Sequence, residues 1–130
     1  MAKATPIDVQ GSFAEVRCNA TRTPTTTEDE ARGSFAVLSG YRDGGVFIAH
    51  FAGTSEWERH PKGDELVQVV EGETELLLWV EGAEQRHRLA AGELLIVPAN
   101  TWHRFETPGV KLLTVTPQPT DHRVEHPGGD

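Results

Sequence analysis

Cysteine, methionine and tyrosine each occur once in 130 residues, and no long apolar run is present. Each scarcity removes a class of function. The single thiol, Cys18, excludes an internal disulfide and any cysteine-rich zinc site. No base lies near it in sequence, so it reads as a small residue in the alternating stretch 12–18, taken as a strand, and not as a nucleophile. A membrane helix needs roughly 20 consecutive apolar residues, and nothing here approaches that, so no membrane partner is expected. The opening Met1-Ala2-Lys3-Ala4-Thr5-Pro6 has no apolar signal core, which points to the cytoplasm. Positive charge is also thin. Twelve Lys and Arg face 20 Asp and Glu, for a net charge of −8. Such a surface argues against nucleic acid, whose binding needs clustered cations to displace counterions.

Sustained helical periodicity is missing as well. What is present is a series of short β-patterned pieces, at 34–41, 46–51, 65–71, 74–80, 85–89, 94–97, 102–106 and 111–116. Glycine punctuates them at Asp43-Gly44-Gly45, Glu71-Gly72-Glu73, Glu81-Gly82-Ala83 and Ala91-Gly92-Glu93, each read as a turn. Many short strands at this spacing predict an all-β, single-domain antiparallel β-barrel or jelly roll. The expected organisation is an N-terminal strand and Thr-rich surface loop over 1–33, the barrel over 34–116, and a flexible Pro/Gly-rich tail over 117–130.

Two stretches place metal-type side chains among strand residues. In the first, Glu58 and His60 lie two apart and share a face, and Glu56 joins them. After a turn, Glu65 opens the next strand in phase with Val67 and Val69. A carboxylate on an apolar face is costly to bury unless a cation compensates it. In the second, the apolar run Leu94–Val97 leads through Pro98-Ala99-Asn100-Thr101 to His103, which shares its face with Phe105. A neutral buried imidazole is the commonest metal ligand.

The joint spacing resembles the two motifs of the cupin superfamily. His60, four residues, Glu65, six residues and Gly72 fit the first motif, while Gly92, Pro98 and His103 fit the second. The chain departs from the pattern at Glu58, which stands where the first histidine belongs. It departs also at Asn100 and Thr107, in place of Gly and Asn, and at Gly53, one residue out of register. The resemblance implies one divalent metal ion (Fe, Mn, Zn or Ni) held by Glu58, His60, Glu65 and His103. Two roles are open for Glu58: fourth ligand, or general base beside a two-histidine, one-carboxylate set. Leu78 and Phe105 are expected to wall a pocket for a small-molecule ligand or substrate. The resemblance also implies a homodimer. The function expected is that of a metal-dependent enzyme on a small oxygenated molecule, by dioxygenase, isomerase, cyclase or lyase chemistry. The alternative is a non-catalytic small-molecule binding or sensing module. Fold alone does not choose between them.

Overall fold

The computed structural model describes residues 4–129; Met1, Ala2, Lys3 and Asp130, the ends of the expected N-terminal segment and tail, lie outside the described residues. Nine strands form one sheet that does not close. In chain order they are β1 (Asn19–Arg22), β2 (Phe35–Tyr41), β3 (Gly44–Thr54), β4 (Trp57–Arg59), β5 (Glu65–Val80), β6 (Ala83–Ala90), β7 (Leu94–Val97), β8 (His103–Pro117) and β9 (Asp121–Arg123). All pairings are antiparallel except β1 with β3. The all-β expectation therefore holds.

The long strands β5 and β8 are the spine. β8 pairs with β5 along one edge and with β3 and β4 along the other, and β5 carries β7 and β6 on its far side. Where the sequence suggested a turn at Gly72, the strand continues without ending. So does β8, which was read as two strands. Register shifts between Val69 and Glu71 and between Glu73 and Glu75 mark bulges, which bend a strand without ending it. The bulges also change which residues face inward: Glu65, Val67 and Val69 are buried before them, Thr74, Leu76 and Leu78 after them. Gly72 sits at the bend with φ +83°, and a Cβ there would lie 2.2 Å from the Gly109 carbonyl oxygen. Only glycine meets both conditions without strain.

The other turn signals fare better. Glu81 and Gly82 close the β5–β6 hairpin with positive φ at both positions, as a tight two-residue loop requires. The β2–β3 hairpin turns one residue earlier than expected, at Arg42-Asp43, because Gly44 already pairs with Tyr41.

The main core is built from Phe51, Val67, Val69, Leu76, Leu112 and their neighbours. A second cluster forms where Phe13 and Val16 pack on Ile48. The stretch 12–18 is thus not the strand its alternation suggested. It holds the end of a short helix, α1 (Val9–Ser12), and a 3₁₀ turn over Phe13–Glu15, with Cys18 exposed. Burial of Phe13 and Val16 overrides the local pattern. The Thr-rich loop carries one helical turn, α2 (Glu28–Ala31), with a capping box between Thr27 and Glu30.

The tail, expected to be poorly ordered, instead carries β9, which pairs with β4. Beyond it His126 packs edge-on between Trp57 and Trp79, at 5.1 and 4.9 Å between ring centroids. Local composition does not reveal such a return, because the partners lie some sixty residues upstream, as in Arg59 with Asp121 at 2.8 Å.

Gly82→Ala meets only the left-handed backbone cost, about 1 kcal/mol, since no atom lies within 4 Å of its added Cβ. Gly72→Ala adds the collision with Gly109 and should cost on the order of 3 kcal/mol. Urea denaturation of the two variants measures the difference; equal losses would show that the bend tolerates a side chain.

Candidate metal centre

Three strand ends converge here. His60 follows β4, Glu65 opens β5 and His103 opens β8. The loops that carry them are tied together. The Asn100 amide donates to the His60 carbonyl at 2.9 Å, and the Ala99 amide donates to Asp64 Oδ1 at 2.8 Å. Asn100 holds φ +62°, a left-handed conformation asparagine tolerates. The two sequence stretches are thereby fixed against each other.

His60, Glu65 and His103 are all buried, and each offers one ligand atom such that all three atoms lie within 4.8 Å of one another. Glu65 Oε1 is 3.0 Å from His103 Nε2 and 3.3 Å from His60 Nε2. Its other oxygen accepts from the Thr116 hydroxyl at 2.6 Å, and Thr114 Oγ1 lies 2.9 Å from that hydroxyl. His103 Nδ1 is 2.9 Å from the Thr101 carbonyl. A carbonyl can only accept, so the proton sits on Nδ1 and Nε2 is left for the site. His60 Nδ1 lies 2.9 Å from Thr120 Oγ1, on the returning tail.

This arrangement has a direct electrostatic consequence. A neutral His103 would point its Nε2 lone pair at a carboxylate oxygen 3.0 Å away. Two acceptors at that distance repel unless a positive charge lies between them. A proton or a metal ion can supply it. Without a metal, burial pushes the Glu65 carboxyl up, but its hydrogen bond with His103 and the close approach of His60 more than offset that and hold it at about 2. Burial likewise pulls the His103 imidazole down, while its bond to Glu65 carries it above its ordinary value. His60 Nε2 remains buried with no well-directed hydrogen-bond partner. An orphaned imidazole nitrogen beside an ionised carboxylate fits a cation better than it fits a protein-only network.

The remaining expected site residues are spread more widely. Glu58 pairs in register with His103 on one side and His122 on the other. Its carboxylate is not part of the three-residue cluster, and it lies 3.8 Å from His122 Nδ1. Phe105 lines the cavity above the cluster, together with Phe51 and Leu112. Leu78, opposite His103 in the ladder, is buried in the core and does not line that cavity. The cavity measures about 800 Å³, within the range of small-molecule sites. Arg59, considered as a steering charge, is engaged by Asp121 and stacks 4.5 Å from the Trp102 ring centroid. Sequence reasoning missed Thr116, Thr120 and Arg22. Thr114 and Thr116 alternate in phase with Leu112, so hydroxyls on an inward face were the available signal for Thr116. Thr120 and Arg22 gave none.

A bent β-sheet brings two imidazoles and a carboxylate together beside an aromatic-walled cavity, a set of groups that could hold a metal ion. The chain belongs to the cupin-domain family, whose model matches residues 47–116. An uncharacterized protein of Acanthamoeba polyphaga mimivirus is 31% identical over 71 residues, a match covering 52% of this chain and 43% of that protein. The match thus spans less than half of that relative. A cupin-2 domain containing protein from Shewanella frigidimarina aligns over 69% of this chain and 80% of its own, with a TM-score of 0.54 and 22% identity. Hydroquinone 1,2-dioxygenase from Sphingomonas, solved with 4-hydroxybenzoate bound, aligns over 70% and 67%, with a TM-score of 0.55 and 17% identity. At these identities the structural likenesses speak for the fold alone.

The metal-free protein should show the Glu65 contribution in its acid denaturation. The folded pKa of about 2 lies below the ordinary 4.5, so this stability is present above 4.5 and is lost as pH falls toward 2. Glu65→Gln should flatten the stability curve across that window in urea titrations of apoprotein. An unchanged slope would show that the carboxylate is not held by the two histidines.

Proposed function

We propose that this protein is a metal-dependent enzyme acting on a small oxygenated organic molecule, with one divalent ion held by His60, Glu65 and His103. The observation that carries the proposal is the buried cluster itself, with a His60 nitrogen left unpaired toward a shared carboxylate. Two imidazoles and one carboxylate leave open coordination positions, as catalytic sites require and closed structural sites do not. A divalent ion bound there supplies Lewis acidity toward a substrate oxygen and, in the case of iron, access to dioxygen chemistry. The donor set accommodates Fe, Mn, Zn or Ni.

The chain's own groups divide the remaining work. Thr116, Thr101 and Thr120 orient Glu65, His103 and His60 through hydrogen bonds. Phe51, Phe105 and Leu112 exclude water from the cavity wall. Glu58 lines the same cavity outside the ligand cluster. We assign it the role of general base, taking a proton from a substrate hydroxyl or carbon beside the ion. Ligation by Glu58 would require a side-chain position other than the one observed. The dioxygenase among the structural relatives is consistent with oxygen chemistry and does not decide it. A binding or sensing module would need the same pocket and no base; Glu58 in the cavity favours the enzyme.

The family resemblance also suggests a second copy of the chain as partner. Phe35, Val37 and Tyr41 are exposed along β2, whose outer edge has no strand partner among the described residues at those positions. An exposed apolar edge of this kind invites pairing. Val37→Lys should convert a dimer to a monomer in sedimentation; a wild-type monomer, or a variant that still dimerises, would remove this interface.

His60→Ala and His103→Ala should each lose stoichiometric metal in elemental analysis, whereas Glu58→Gln should retain it with affinity changed by less than about tenfold. Full occupancy in both histidine variants would sink the site. Loss of metal in Glu58→Gln would make Glu58 a ligand and leave the base unassigned.

A further inference from the structure

Arg22, at the end of β1, lines the same cavity as His60 and Glu65 but lies outside the residues matched by the family. It reaches the cavity through a built approach. β1 runs parallel to β3 with Arg22 opposite Gly53, and a Cβ on Gly53 would lie 2.1 Å from the Arg22 carbonyl oxygen. Gly53 also holds φ +118°, so glycine is what lets β1 close in. The Arg22 guanidinium then lies 4.4 Å from the Phe51 ring centroid and 5.2 Å from that of Phe35. Two aromatic rings constrain the guanidinium by cation–π contact.

Among the described residues Arg22 makes no side-chain hydrogen bond and no ion pair. Arg32, the other arginine lining the cavity, is paired with Asp29 at 2.5 Å. Glu56 and Glu58 line the cavity too, yet neither is within ion-pair distance of Arg22. Glu56 is matched instead by His122 at 2.7 Å. Burial lowers the Arg22 pKa from its ordinary value, and the more distant Glu58 and Glu56 charges act in the opposite sense. A half-buried guanidinium with five donors, open to the cavity and without a protein acceptor, is available to a ligand acceptor.

We propose that Arg22 anchors a carboxylate of the ligand, so that the cavity selects a small organic carboxylate with an apolar body. The planar fork matches a carboxylate in two parallel hydrogen bonds. Phe51, Phe105 and Leu112 contact the apolar body, and the far end reaches His60 and Glu65, which line the same cavity. A phosphate, with its larger charge, would sit less well in a cavity that also holds Glu56 and Glu58. The last step, in which the far end meets a metal, rests on the function proposed above; the carboxylate anchor does not.

The test is calorimetric titration of the full chain, metal-free and metal-loaded, with benzoate, benzamide and inorganic phosphate. Wild-type protein should prefer benzoate over benzamide on the order of tenfold. Arg22→Gln should erase that preference while leaving benzamide binding unchanged, and Arg22→Lys should keep part of it. Circular dichroism reports folding of both variants. If Arg22→Gln does not fold, the wild-type preference and the Arg22→Lys result decide. Equal binding of benzoate and benzamide by wild type, no benzoate binding at all, an intact preference in Arg22→Gln, or a preference for phosphate would each overturn the proposal. Metal content is measured on the same samples. A benzoate preference in protein that binds no metal would uphold the anchor and reject the metal site. Stoichiometric metal without the preference would do the reverse.

Discussion

The structure is organised around one carboxylate oxygen. Glu65 Oε1 faces the Nε2 atoms of His103 and His60 at 3.0 and 3.3 Å. The opposite nitrogen of His103 is already committed to a backbone carbonyl. Acceptors crowded together in a buried pocket need a positive charge between them. Everything that brings β4, β5 and β8 to a common end serves that requirement: the Asn100 turn bonded to the His60 loop, the Asp64 link to Ala99, and Thr116 on the second Glu65 oxygen. A protonated imidazole can fill the gap in the apoprotein, and the proposed divalent ion would fill it with more ligands satisfied. His60 discriminates between these two, because a single proton shared with His103 leaves its Nε2 without a partner.

Around this centre the chain has two layers of design. The region matched by the family supplies His60, Glu65, His103 and the apolar wall. The flanks supply what faces the ligand from outside that region. β1 brings Arg22, and the returning tail brings Thr120 against His60 and His122 against Glu56. The common parts would hold the metal and the flanking parts would set what enters, which is how one fold serves many chemistries. Close backbone approach makes both possible, at Gly72 against Gly109 and at Gly53 against Arg22.

Much of this was legible in the sequence where the signal was local. Alternation placed Glu65 with Val67 and Val69, and His103 with Phe105, on buried faces, and all five are buried. Glu81-Gly82 announced its hairpin, because a tight turn needs positive φ and glycine gives it. The failures share a physical cause. Gly72 carries the same positive φ but serves a bulge, since its partner Gly109 lies far off in sequence and only the ladder reveals it. The stretch 12–18 alternates like a strand, yet Phe13 and Val16 pack on Ile48 from a turn. The tail reads as loose until Arg59, Trp57 and Trp79 are placed beside it. Leu78 was put in the pocket by phase; phase identifies a face, and the core occupies part of that face. Glu58 was put on the correct face and lines the cavity, while its distance from the cluster depends on a side-chain position that periodicity does not specify.

The most direct test is an anomalous-difference map from crystals of protein loaded with one equivalent of a divalent metal, collected at that metal's absorption edge. The account predicts a single peak within bonding distance, about 2.0–2.3 Å, of His60 Nε2, Glu65 and His103 Nε2. A peak between Glu56 and His122, or no ordered peak in protein that carries the metal in solution, would contradict it.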